Sequence, residues 1–299
     1  MIINRSHLPW AFLVAVTTVV LWIIYCEAIH PGAIAQYIPI PANLGRPPFG
    51  HRSIGATPLG LAYGTAAFFI FIFATLLGTR KKVRHWRIGR AETWMRAHIW
   101  LTVLTIPLVL FHCGLHSGSA MTTGLLILYA VVMLSGFYGL ALQQVIPHQM
   151  MERLTHEVIY EQIPYLREQL VHSAIELRGL LISAAAAPTD NPAELGRAAF
   201  REALDRDILP YLRAHSGGRF LLNRRQAADN LFLVLKSSVA EEDRSRVDQA
   251  RRWCEQRRQM DLQARLQHWL HYWLFVHVPA SMLLLLWTAW HAVTGLYYF

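Results

Sequence analysis

The sequence is short of charge. Asp, Glu, Lys and Arg make up 16% of its 299 residues while 54% are hydrophobic, where an ordinary soluble domain carries about 25% charged residues. Together with a mean hydropathy of +0.28, this excludes a wholly soluble protein and implies a membrane protein with a soluble part. Cysteine is scarce: Cys26, Cys113 and Cys254 stand alone. With no C-x-x-C-H motif there is no attachment site for c-type haem. No cysteine cluster suits an iron–sulfur centre, and no disulfide framework is expected. Nucleotide signatures are missing as well, with neither G-x-G-x-x-G nor a P-loop. Carboxylates are absent from the cores of the last three apolar stretches, which argues against a site for hard cations.

The net charge is +9, but its distribution argues against nucleic acid as the partner. Outside residues 147–267 there are ten Lys/Arg and two acids, so the flanks supply +8; the 147–267 segment is nearly balanced. Five stretches are apolar and long enough for the roughly 20 helical residues that cross a bilayer. They are residues 8–29, 56–78, 95–116, 121–146 and 269–298. The first has a longer apolar core than a signal peptide and no clear cleavage site, so it reads as a retained helix. The run GTRKKVRHWRIGR (78–90) holds six basic residues and by the positive-inside rule is cytoplasmic. That places the N-terminus and the 147–267 insert inside and Phe299 outside, in the cytoplasmic (inner) membrane if the source is bacterial. Trp10, Trp94, Trp269, Tyr272, Trp273, Tyr297 and Tyr298 gather near helix ends, as interfacial belts do.

The insert reads as helical, with apolar residues three and four apart in MMERLTHEVIYEQIPYLREQLVHSAIELRGLL. AAAAPTDNPAEL is a loop, with Asp190 or Asn191 as a cap before Pro192, and HSGGRF is a second break. From about Glu241 a charged helix leads into the fifth apolar stretch. The expected fold is all-α, an integral membrane bundle of five transmembrane helices. Residues 1–146 carry the first four, 147–267 form the insert, and 268–299 carry the fifth.

Two segments stand out: HIWLTVLTIPLVLFH (98–112) and HVPASMLLLLWTAWH (277–291). Each has a histidine at both ends, fourteen residues apart. At about 100° and 1.5 Å per residue, His98 and His112 share nearly one face about 21 Å apart, and so do His277 and His291. In a hydrocarbon core about 30 Å thick, one of each pair sits toward each leaflet. The third and fifth helices run in the same direction. His98 can therefore face His277, and His112 can face His291. Facing imidazoles supply the two axial nitrogens of a hexacoordinate b-type haem, and intramembrane ionisable groups are costly and usually functional. A lone histidine of this kind is more often a packing residue; two matched pairs are another matter.

His116 competes with His112, and His268 and His271 compete with His277, but only His112 and His277 keep the fourteen-residue spacing. His116 also suits a quinone, an outer partner, or plain solvent. His7, His30, His51, His85, His148, His156, His172 and His215 read as solvated surface. Gly60, Gly64, Gly136 and Gly139 allow close approach either of a flat macrocycle or of another helix. Pro107 and Pro279 bend their helices locally. Arg96, Arg46 and Arg52 suit haem propionates, with topology or lipid headgroups as the plainer reading.

With these four histidines the chain resembles the membrane di-haem cytochromes b, both the ferric-reductase-like and NADPH-oxidase-like domains and the b subunit of quinol:cytochrome c reductases. The resemblance covers about 180 residues. It implies two b haems, ligated by the pairs His98–His277 and His112–His291, and electron transfer across the membrane. Ferric-reductase-like enzymes commonly carry a flavin and nicotinamide domain after the last helix; here the extra domain is an insert before it. The leading expectation is therefore a subunit passing electrons between a quinone pool and a cytochrome or iron–sulfur partner. Two alternatives stay open: a stand-alone membrane reductase, and a non-redox metal-binding or anchor protein.

Overall fold

The computed structural model describes residues 5–29, 41, 43–47, 54–82, 89–154, 158–183, 192–215 and 218–297. The protein is all-α, and no strand occurs among the described residues. Five of its helices are long and apolar enough to cross a membrane. The chain divides into two compact units, 1–144 with 272–299 and 145–271.

In the first unit a short 3₁₀ turn, Arg5–His7, leads into α1 (Leu8–Ile29). α2 (Pro58–Lys82), α3 (Ala91–Cys113) and α4 (Ala120–Arg153) follow, and α10 (Leu274–Tyr297) closes the unit. α2 starts where the sequence caps it. Thr57 Oγ1 accepts from the Gly60 N–H at 2.9 Å, and Pro58, with no N–H to satisfy, takes the first helical position. α3 ends in a Schellman motif: the Gly114 N–H reaches the Phe111 carbonyl and the Leu115 N–H reaches the Leu110 carbonyl, with Gly114 at φ +64°. The cap stops the helix two residues past His112.

α3 packs on α1 and α2, and α10 packs on α2. Tyr25, Tyr63, Leu108 and Phe111 form the core, where the Tyr25 and Phe111 rings stack at 4.9 Å and Tyr63 donates to the Leu21 carbonyl at 2.9 Å. At most 22% of any span's apolar window is buried within the protein. The outward residues, Phe12, Phe69, Ile127, Leu134, Leu286 and Val293 among them, therefore face membrane lipid. Apolar burial gives little drive between helices in lipid, so close packing and interhelical hydrogen bonds hold such bundles.

Several boundaries differ from the sequence reading. α3 begins at Ala91 rather than near 95, and α4 runs to Arg153 rather than 146. The charged helix does not run unbroken into the last span: α9 (Glu241–Tyr272) stops, Trp273 is a turn, and α10 begins at Leu274. Trp273 lies one turn before His277, with ring centres 5.1 Å apart, and its carbonyl accepts the His277 N–H at 3.0 Å.

The second unit is helical throughout its described residues. It holds α5 (Ile163–Ser183), α6 (Pro192–Ala203), a π-helical turn Leu204–Ile208, α7 (Leu209–Arg213), α8 (Arg225–Ser238) and most of α9. Phe200, Leu204, Ile208, Leu212, Val247 and Cys254 are fully enclosed in its core. Arg257 is buried. It donates to Asp261 at 3.0 Å and to the Ala214 carbonyl at 2.7 Å. Arg197 pairs with the fully buried Asp243 at 3.0 Å. The basic residues 80–88, the loop residues 184–191 with Asp190 and Asn191, His30, His51, His85, His156 and Arg52 lie outside the described residues or have no described side chain.

Candidate functional site

His98 and His112 stand on α3, and His277 and His291 on α10. All four are partly enclosed, whereas the competitors His116, His268 and His271 are exposed. His116 turns its Nδ1 to the Gly114 carbonyl of its own loop, and His271 turns its Nδ1 to Gln267 one helical turn back. His7 corrects the sequence reading. It is buried, and its Nδ1 accepts from the Trp100 indole N–H at 3.1 Å. The 3₁₀ turn ahead of α1 folds this residue onto α3, a contact that no helical periodicity signals.

The structure brings His112 and His291 together. Their ring centres are 6.3 Å apart and their planes nearly perpendicular, at 81°. Close backbone packing between α3 and α10 is at most sparse among the described residues, so the two rings meet across a gap that the helices leave. A metal–imidazole bond is about 2 Å long, and each ring centre lies about 1 Å from its nitrogen. Two such bonds therefore need about 6 Å between ring centres, which is the separation found.

Hydrogen bonds fix the form of two rings. His112 Nδ1 lies 2.8 Å from the Gly60 carbonyl oxygen. A carbonyl only accepts, so Nδ1 carries a proton, and in the neutral ring Nε2 then keeps its lone pair. His277 Nδ1 lies 2.9 Å from Ser135 Oγ on α4, and Ser135 donates its own proton to the Val132 carbonyl at 2.8 Å. With its proton on Val132 the hydroxyl can only accept, and the Val132 carbonyl bonds the same histidine; in the neutral ring Nδ1 then carries the proton and Nε2 is free. Metal-binding histidines commonly take this form, with the second nitrogen tied to an acceptor.

His291 Nδ1 is buried and has no hydrogen-bond partner among the described residues. His98 Nδ1 is enclosed too, and the His98 carbonyl accepts from Thr102 Oγ1 at 2.7 Å. For His98 and His277 the structure gives their separate surroundings; it shows no ring contact of the His112–His291 kind. Midway between the histidines of α3, Thr105 is fully buried. It donates to the Thr102 carbonyl at 2.6 Å and accepts from Tyr129 of α4 at 2.8 Å.

The four glycines divide between their two readings. A Cβ on Gly64 would lie 2.7 Å from His112 Nδ1, and one on Gly136 would lie 3.3 Å from His277 Cε1. These two make room for histidine rings. Gly60 lies against the Ile54 carbonyl and Gly139 against the Trp273 indole, which is packing. Arg96 pairs with Glu92 at 3.3 Å, and Arg46 is exposed.

Sequence reasoning missed Ser135, the Gly60 carbonyl and Trp273. Ser135 precedes a glycine already singled out, and a serine in an apolar helix opposite a histidine is the one signal that was there to read.

Fitting an axial ligand pair to haem asks for two neutral imidazoles facing across a gap, each with a free nitrogen. The pair His112 and His291 is compatible with this: in the neutral ring His112 keeps Nε2 free, His291 has a buried nitrogen with no partner among the described residues, and Gly64 sets no Cβ against His112. Among the described residues no three His, Cys, Asp or Glu side chains are grouped to hold a metal ion; a haem asks only two ligands of the protein. No family model matches this chain, and no curated protein and no solved structure matches it.

Proposed function

We propose that the protein is a membrane di-haem b-type cytochrome, a subunit that carries electrons across the bilayer between a quinone pool and a partner redox protein. His112 and His291 hold one haem and His98 and His277 the other. A haem bound at each pair supplies reversible one-electron chemistry at its iron. The observation that carries the reading is the facing pair His112–His291 at 6.3 Å, with His112 Nδ1 tied to the Gly60 carbonyl.

The residues around the pairs do the protein's share. Gly60 and Ser135 hold Nδ1–H and leave Nε2 as the donor atom, which fixes the ring orientation and raises ligand basicity. The apolar surroundings exclude water, and burial of this kind is one of the levers on a haem potential. Residues 80–90 lie on the cytoplasmic side of the inner membrane by the positive-inside rule, with the 145–271 unit on that same side as the surface a donor or acceptor protein meets.

The test is a reduced-minus-oxidised visible spectrum of the purified protein with a pyridine haemochrome count. Two b haems per chain are expected. One should go in His112→Ala or His291→Ala, the other in His98→Ala or His277→Ala. A folded protein without haem ends the reading, and a single haem ends the transmembrane path.

A further inference from the structure

We infer that Ser135 is a positioning residue for His277, and that through it α4 sets the redox potential of one haem independently of the other. The inference rests on the di-haem reading above and extends it to a residue outside the ligand set.

Ser135 has one proton and gives it to the Val132 carbonyl, one turn back on its own helix. What it turns toward α10 is a lone pair, 2.9 Å from His277 Nδ1. The next residue, Gly136, leaves 3.3 Å between a built Cβ and His277 Cε1, so the ring lies close against α4. Trp273 stands against the ring from its own chain segment at 5.1 Å. The imidazole is thus held in plane and in tautomer by α4.

The plainer account of Ser135 is the back-bond to the carbonyl three residues earlier that serines make in membrane helices. That bond accounts for the hydroxyl proton. It does not account for the lone pair meeting a histidine on another helix.

His112 rests on a different acceptor, the peptide carbonyl of Gly60. A peptide carbonyl draws an N–H proton more strongly than a hydroxyl oxygen does. The two rings therefore carry unequal electron density at Nε2, and hydrogen bonding to the ligand is one of the levers on a haem potential. Deleting the Ser135 hydroxyl removes its share of the pull on His277 and makes Nε2 a poorer donor. Ferric iron needs that donation more than ferrous iron, so the potential rises.

The experiment is a spectroelectrochemical titration of the full chain in detergent, as wild type, Ser135→Ala and Ser135→Thr, with haem counted in each sample. Ser135→Ala is expected to raise the midpoint potential of one haem and leave the other in place, and Ser135→Thr, which keeps the hydroxyl, to restore the wild-type value. Loss of one haem from Ser135→Ala with its return in Ser135→Thr supports the positioning role equally. Two haems with unmoved potentials, potentials that move together, or no rescue by threonine overturn the inference and leave the di-haem reading standing. A wild type without haem removes both.

Discussion

At His112 a single methyl group decides whether the ring keeps its place. It is held between the Gly60 carbonyl and Gly64, whose added Cβ would stand 2.7 Å from Nδ1 and 2.8 Å from Cε1. Gly64→Ala is expected to displace the ring and cut the haem count by one. Gly136→Ala, where the ring must give only a few tenths of an ångström, should keep both haems. Gly78→Ala, with nothing within 4 Å, is the neutral control, and an unaltered haem count in Gly64→Ala would contradict the geometry. Cys254 tells a different story in the second unit. Burial pushes its thiol up to about 12 from an ordinary value near 9, so the folded state holds its proton longer than the unfolded chain does. The stability this represents is fully present below pH 9 and is lost as pH rises from 9 toward 12. Each tenfold difference in proton affinity is worth about 1.4 kcal/mol, so denaturant midpoints of the wild type should fall over that range and those of Cys254→Ala should fall less. An alkylating reagent at pH 8 should leave Cys254 untouched until the unit unfolds.

At the scale of the element, α2 and α3 are placed by their ends. Thr57 and Pro58 start α2 so that Gly60 and Gly64 come opposite His112. Gly114 stops α3 two residues after that histidine, in a left-handed conformation that costs a residue with a Cβ about 1–2 kcal/mol. Gly114→Ala adds a Cβ 2.7 Å from the Ile54 side chain. It should lower the thermal midpoint in detergent more than Thr57→Ala, whose lost cap costs about 1 kcal/mol; the reverse order would show that the cap does not fix α3. In the second unit Arg257 pairs with Asp261 one turn on along α9 and ties that helix to the carbonyls of Leu212 and Ala214. Removing one partner of a buried pair costs about 3–5 kcal/mol. Arg257→Ala is therefore expected to unfold the 145–271 unit at markedly lower denaturant, read by proteolysis within that segment. Apolar run length made the spans legible in the sequence. The end of α9 at Tyr272 was not legible, because Trp273 suits a helix as well as a turn.

For the whole molecule, the basic flanks predict that reporters fused at the N-terminus and within 145–271 read cytoplasmic and one fused after Phe299 reads external. A reversed pattern would overturn the orientation and leave the histidine geometry untouched. The sequence by itself determined the class: an all-α bundle of five membrane-crossing helices with a helical insert, because hydrocarbon admits only long apolar helices whose backbone is satisfied internally. It also singled out four histidines, because a fourteen-residue spacing on a helix returns to nearly the same face. Tertiary structure alone decided the rest. It set His112 against His291, turned His7 inward onto Trp100, and assigned Gly64 and Gly136 to rings and Gly139 to an indole. It also brought the Gly60 carbonyl to His112 Nδ1 and the Ser135 hydroxyl to His277 Nδ1. Those contacts join residues 48 to 179 positions apart, and the rotation and offset of one packed helix against another, which no local periodicity encodes, decide them.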